Sequence, residues 1–242
     1  MMEFLVGWHA VTALIERAPK RVKTLYVMDS IAPAKLDQLQ ASGIALKVMP
    51  KEQFLKSVKF DDGVAHQGVA CEAEASQIQP EGALIEHLGQ ANPLILALDG
   101  VTDPRNLGAI LRTAEAAGVS VVIQPKDNAA PLNGAARKTA CGAAELVPLV
   151  QVTNLKRTLE KLRKDGYWVS GAAGDEGSIP MAQADFSGPR VLVMGSEGRG
   201  MRKSVREACD QLVAIPMLGA VSSLNVSVAT GVLLYQAVAQ RG

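Results

Sequence analysis

From Pro93 onward, short apolar runs alternate with stretches whose apolar residues recur at helical spacing, and this alternation restricts the possible folds more than any other feature of the chain. Leu94 to Leu98 is apolar without a break, as in a strand covered on both faces. A helix is predicted from about Leu107 to Ala117, ended by Gly118, which can take the left-handed conformation that closes helices. Val119 to Ile123 reads as a second strand, Leu132 to Ala140 as a helix and Leu146 to Val150 as a third strand. Asn154 then opens an amphipathic helix from Leu155 to Asp165. Tyr167 to Ser170, Val191 to Met194 and Leu212 to Ile215 complete the strands, and a last helix runs from about Ser223 to Ala239. Regular strand–helix alternation predicts an α/β fold with a mostly parallel sheet, helices on both faces, and ligands beyond the carboxyl ends of strands.

The first part of the chain is organised differently. Residues 1–73 read as a small α/β domain, with a helix at His9–Arg17, strands at Leu25–Met28 and Ala45–Val48, and a helix at Pro33–Ser42. A last strand is expected near Gly68–Ala73. Residues 74–90, polar and carrying Pro80 and Gly82, read as a linker that enters a short helix near Leu84–Leu88, and 91–242 form the second domain. Lys and Arg total 25 against 24 Asp and Glu, so bulk charge supplies no attraction to a nucleic acid and any such partner needs a local patch. Arg17, Lys20, Arg21 and Lys23 cluster after the first helix, as either such a patch or a solvated loop. The three cysteines, Cys71, Cys141 and Cys209, are widely spaced without a CxxC pair, which argues against a disulfide framework or zinc site and for small buried hydrophobes. His9, His66 and His87 form no triad or metal pattern. No basic, apolar leader and no span long enough for a bilayer is evident, so a cytoplasmic protein with no metal and no membrane partner is expected.

Three polar loops carry the chemistry. Asp99-Gly100-Val101-Thr102-Asp103-Pro104-Arg105-Asn106-Leu107-Gly108, Gly195-Ser196-Glu197-Gly198-Arg199-Gly200 and Pro216-Met217-Leu218-Gly219-Ala220-Val221-Ser222-Ser223-Leu224-Asn225 each leave an apolar strand and enter a helix. Such turns offer free backbone N–H groups to a polar ligand, and three of them at strand ends predict one composite site. The second loop is neither a P-loop, since Met201 stands where the phosphate lysine belongs, nor a dinucleotide fingerprint, since its glycines fall as GxxGxG. Positive-φ turns explain its glycines but not the Glu197 and Arg199 between them. Asn106 followed six residues later by Arg112 is, alone, an N-cap plus a solvated arginine. Ser223, Asn225 and Ser227 exceed what one cap requires.

Together the three loops resemble the motifs of the SpoU (TrmH-like) branch of the SPOUT RNA methyltransferases, over about residues 92–242. Gly7-x-His9-Ala10-Val11-x-Ala13-Leu14, His66-Gln67-Gly68 and Lys138-x-x-x-Cys141-Gly142-Ala143-Ala144-Glu145 also fit. The resemblance implies a C-terminal domain tied in a deep trefoil knot, an N-terminal L30e-like RNA-binding domain, a homodimer, and S-adenosyl-L-methionine as cofactor. It implies methylation of a guanosine ribose 2′-hydroxyl in the peptidyl-transferase region of 23S ribosomal RNA, with that RNA or a large-subunit precursor as partner. Gly195, Ile215 and Leu224 would bind the cofactor, largely through backbone groups, and Asn106, Arg112, Glu197, Ser223 and Asn225 match the family's catalytic and substrate-holding positions. The family's proposal makes the arginine a base, but a guanidinium is effectively always protonated. Arg112 is therefore expected to hold a phosphate and stabilise charge on the 2′-oxygen, oriented with the ribose by Asn106 and Glu197. The rival class is a non-catalytic RNA-binding or ribosome-assembly factor on the same fold.

Overall fold

The computed structural model describes residues 2–59, 66–89, 92–175 and 177–241. The chain divides into two compact units, Met1–Gln77 and Ile78–Gly242.

The first unit runs β1 (Met2–Val6), α1 (Trp8–Arg17), β2 (Val22–Met28), α2 (Pro33–Ala41), β3 (Ala45–Met49), α3 (Lys51–Ser57) and β4 (Val69–Glu74). Its sheet has the order β1-β4-β2-β3, with β2 and β3 parallel and β4 antiparallel to both neighbours. Met28, Met49, Phe54, Val58 and Ala70 form one buried cluster. β1 and α3 were not anticipated, because each buries a single residue, Leu5 and Phe54, and so shows no period. His66 Nδ1 accepts from Gly68 N at 3.0 Å and its ring lies 5.3 Å from that of Phe54, a structural use.

The second unit adds β5 (Gln79–Pro80), β6 (Leu94–Asp99), α4 (Pro104–Ala116), β7 (Val121–Pro125), α5 (Gly134–Ala140), β8 (Leu149–Val152), α6 (Leu155–Lys164), β9 (Trp168–Ala172), β10 (Ile179–Pro180), β11 (Arg190–Gly195), α7 (Lys203–Arg206), β12 (Gln211–Ala214) and α8 (Val226–Arg241). The sheet order is β10-β12-β9-β11-β6-β7-β8-β5, and every pairing is parallel. Alternate residues of the strands serve two cores. Leu96, Leu98, Val122, Leu192 and Met194 pack with Leu107, Ile110 and Leu111 of α4 and with Leu233 and Leu234 of α8. Ile95, Ala97, Val121, Ile123, Val191 and Val193 pack with Leu155, Leu159 and Leu162 of α6 and Val205 of α7. β6 is thus buried along its whole length, which is why its sequence is an unbroken apolar run.

The stretch expected to be a linker is partly built into this unit. Gln79 and Pro80 pair with Val150 and Gln151, and Glu81–His87 winds into a 3₁₀ turn with Leu84 buried. Glu81 fastens that turn, accepting from Thr153 N at 3.0 Å; this bond, more than the neighbouring Arg157, holds its carboxyl below the ordinary value. Proline is tolerated because β5 is an edge strand. The expected boundary at 90/91 lies outside the described residues. Among the described residues no helix is long and apolar enough to cross a membrane, and no group of three or more His, Cys, Asp and Glu could hold a metal ion. The cysteines divide: Cys71 is buried, burial pushes the Cys209 thiol up to about 12, but Cys141 is exposed, contrary to the expectation of a buried hydrophobe.

Candidate active site

The three polar loops leave the carboxyl ends of β6, β11 and β12, and β6 and β11 are adjacent with Asp99 paired in register to Gly195. In the first loop Asp103, not Asn106, caps α4, accepting from Arg105 N at 2.7 Å. Pro104 takes the first helical position, where its missing N–H costs nothing. Asn106 is therefore released from capping and its side chain is available to other partners.

The second loop folds back on itself. Ser196 and Gly200 form an antiparallel bridge, and a Cβ on Gly195 would lie 2.3 Å from Gly200 C and Met201 N, so only glycine fits there. The loop's far end is clamped by Asp99, which is 1% exposed. Asp99 accepts from Arg202 N, Nε and Nη2, each at 2.7 Å. These charge-assisted bonds satisfy a carboxylate that could not otherwise be buried. Asp99 and Arg202 were missed from the sequence; the available signal was a single carboxylate ending a wholly apolar strand.

The third loop delivers Asn225, whose Oδ1 accepts from Ser227 N at 2.9 Å and Val228 N at 3.4 Å and so caps α8. The helix consequently begins at Val226, three residues later than expected. Its Nδ2 donates to Asn106 Oδ1 at 3.0 Å and also to Glu197 Oε1. The same Glu197 oxygen accepts from Asn106 Nδ2 at 3.3 Å and from Val226 N at 3.2 Å. Glu197 thus sits at the positive end of the α8 dipole, held by groups from two other loops. Beside this cluster opens a cleft of about 500 Å³, lined among others by Met194, Gly195, Ile215, Met217, Leu224 and Val226. Glu197 and Ser223 also line it.

The structure therefore brings together Asn106, Glu197, Asn225, Ser223, Gly195, Ile215 and Leu224. Arg112 differs. Six helical residues beyond Asn106 amount to about 240° around the axis, and its exposed guanidinium donates through Nη1 to Cys141 Sγ at 3.4 Å. No hydrogen bond among the described residues joins it to Asn106 or Glu197, so the expectation that those two orient it is not met.

Residues 93–235 match the SpoU rRNA Methylase family, and residues 4–79 match the domain described as RNA 2′-O ribose methyltransferase substrate binding. The chain belongs to the SpoU rRNA methylase family. It is 52% identical to the 23S rRNA (guanosine-2′-O-)-methyltransferase RlmB of Pseudomonas aeruginosa, across 99% of this chain and 97% of that protein. It is 46% identical to RlmB of Escherichia coli, with both chains fully covered. An AdoMet-bound rRNA methyltransferase from Sinorhizobium meliloti superposes with a TM-score of 0.70 at 28% identity, covering 98% of this chain and 86% of that one. The cleft of this SpoU protein offers apolar surface together with backbone hydrogen-bonding groups. Met194, Val213, Ile215 and Leu224 give apolar walls, and among the described residues the backbone groups of 217–224 are not spent on pairing with other backbone groups.

Proposed function

We propose that this protein transfers a methyl group from S-adenosylmethionine to the ribose 2′-hydroxyl of one guanosine in the peptidyl-transferase region of 23S ribosomal RNA. The observation that carries this reading is the convergence of Asn106, Glu197 and Asn225 from three loops at the rim of one apolar-walled cleft. End-to-end identity with enzymes named for that reaction supports the choice of guanosine and RNA. Residues 4–79 would contribute to binding the RNA. The working form would be a cytoplasmic homodimer whose C-terminal unit is threaded as a trefoil knot.

When bound, S-adenosylmethionine supplies an electrophilic sulfonium methyl group. Gly195, Ile215 and Leu224 would hold it with backbone groups, and Ser223 would meet the polar edge of cofactor or ribose. Asn106, Glu197 and Asn225 fix one another, so any donor or acceptor they turn to the ribose is set before substrate arrives, which lowers the reorganisation needed in the reaction. The hydroxyl proton would pass to solvent water, and the Arg112 guanidinium would stabilise negative charge growing on the 2′-oxygen while gripping a neighbouring phosphate. Arg112→Lys keeps the charge but loses the planar fork, so turnover should fall without a new ionisation near neutral pH. Near-normal turnover of the lysine variant, titrating near neutrality, would instead make residue 112 the base.

The test is to incubate the protein with labelled S-adenosylmethionine and unmodified large-subunit RNA, then digest the RNA to nucleosides. Label should appear in 2′-O-methylguanosine. Label in a base-methylated nucleoside would overturn the reaction type, and tight RNA binding without transfer to naked RNA or subunit precursors would favour a binding or assembly role.

A further inference from the structure

Helix α5 ends unusually. The position after a helix that takes left-handed geometry is most often glycine, because a Cβ there is strained. Here it is Cys141, with φ 50° and ψ 43°. Backbone strain that persists at a position points to a use for its side chain. The thiol is exposed, so burial does not explain it. Its sulfur has two partners: it donates to Lys138 O at 3.6 Å in the same turn and accepts from Arg112 Nη1 at 3.4 Å. The approach is enforced from below, since Gly108, one turn before Arg112 on α4, lets α5 come so near that an added Cβ would lie 2.3 Å from Ala136 O. Asn133 caps the start of α5 and Arg137 pairs with Glu145 across its end, so the segment bearing Cys141 is tied at both sides.

We propose that Cys141 is a positioning residue, holding the Arg112 guanidinium in its working orientation through the sulfur acceptor. The inference rests on the methyl-transfer reading above. It assigns to the end of α5 the orienting task that Asn106 and Glu197 do not perform, and it gives the strained residue a use beyond the local bond of its thiol to Lys138 O.

Glycine at position 141 separates this from a structural role, because it relieves the backbone and removes the sulfur together. Cys141→Gly should melt no lower than wild type, yet lose on the order of tenfold or more in kcat, with KM for S-adenosylmethionine unchanged. Cys141→Ser, which keeps an acceptor, should recover most of the loss. In an Arg112→Ala background, Cys141→Gly should cost nothing further. A readout without substrate is the ¹⁵N NMR spectrum of the arginine side chains. The Arg112 guanidinium should be rotationally restrained in wild type and Cys141→Ser and freely averaging in Cys141→Gly. Wild-type kcat in the glycine variant, an equal loss in the Arg112→Ala background, a serine variant as poor as glycine, or a freely averaging Arg112 in the wild type would each overturn the proposal. If the wild type transfers no methyl group, the functional reading fails instead, while the NMR comparison still decides whether Cys141 holds Arg112.

Discussion

Alanine at position 108 pits two known effects of opposite sign against each other. Within a helix, Gly→Ala normally stabilises by about 1 kcal/mol, because glycine loses more backbone freedom on folding. At Gly108 the new methyl would lie 2.3 Å from Ala136 O and 2.7 Å from Thr139 Cβ, whereas ordinary contact begins at 3.4 Å. The nearer obstacle is a backbone carbonyl, which cannot rotate aside, so α4 and α5 would have to part by about 1 Å. Overpacking of this kind costs about 1–3 kcal/mol, and a rigid obstacle belongs at the upper end. The net prediction is a loss of about 1–2 kcal/mol. Gly231 in α8 supplies the control: there a Cβ would meet Thr113 Cγ2 at 3.6 Å, an ordinary contact, so Gly231→Ala should gain up to about 1 kcal/mol. Urea denaturation of both variants measures this. The midpoint should fall for Gly108→Ala and rise for Gly231→Ala. A rise for both would refute the α4–α5 packing on which the placement of Asn106 and Arg112 depends.

Further outcomes follow from single side chains. Asn225→Ala should destabilise α8 by about 1 kcal/mol through loss of the cap, while Asn225→Ser should keep the cap but not the donors to Glu197 and Asn106, leaving near-normal stability with poor methyl transfer. Arg202→Ala strips the buried Asp99 carboxylate of two charge-assisted bonds and should cost about 3 kcal/mol in a denaturant titration, a much smaller loss arguing against the clamp. Burial lowers the pKa of His87 from its ordinary 6.5, so the unfolded chain takes up the proton first as pH falls. The stability contributed by neutral His87 is complete above 6.5 and is lost below it, toward the lowered folded value. The urea midpoint should drop as the pH falls through 6.5, and His87→Gln should flatten that drop.

What was legible in the sequence follows the physics of each element. β6 announced itself because burial on both faces leaves no polar residue from Leu94 to Leu98, and α6 because Asn154 caps a strong amphipathic pattern and accepts from Arg157 N at 3.1 Å. β5 did not, since two residues at a sheet edge have no period and Pro80 argued for a loop. Among site residues, the convergence of Asn106, Glu197 and Asn225 was foreseeable from loops at the ends of parallel strands, whereas their hydrogen bonds were not. Arg112 shows the limit: sequence places it on the same helix as Asn106, but only the angle around that helix, and the left-handed turn at Cys141, show where its guanidinium goes.

The most direct test of the central claim is nucleotide-resolution mapping of 2′-O-methylation in large-subunit RNA transcribed without modifications and incubated with the protein and S-adenosylmethionine. One fully modified guanosine in the peptidyl-transferase region is the predicted result, abolished by Glu197→Ala. Methylation of another nucleotide, or a single guanosine still modified at the wild-type rate by Glu197→Ala, would contradict it.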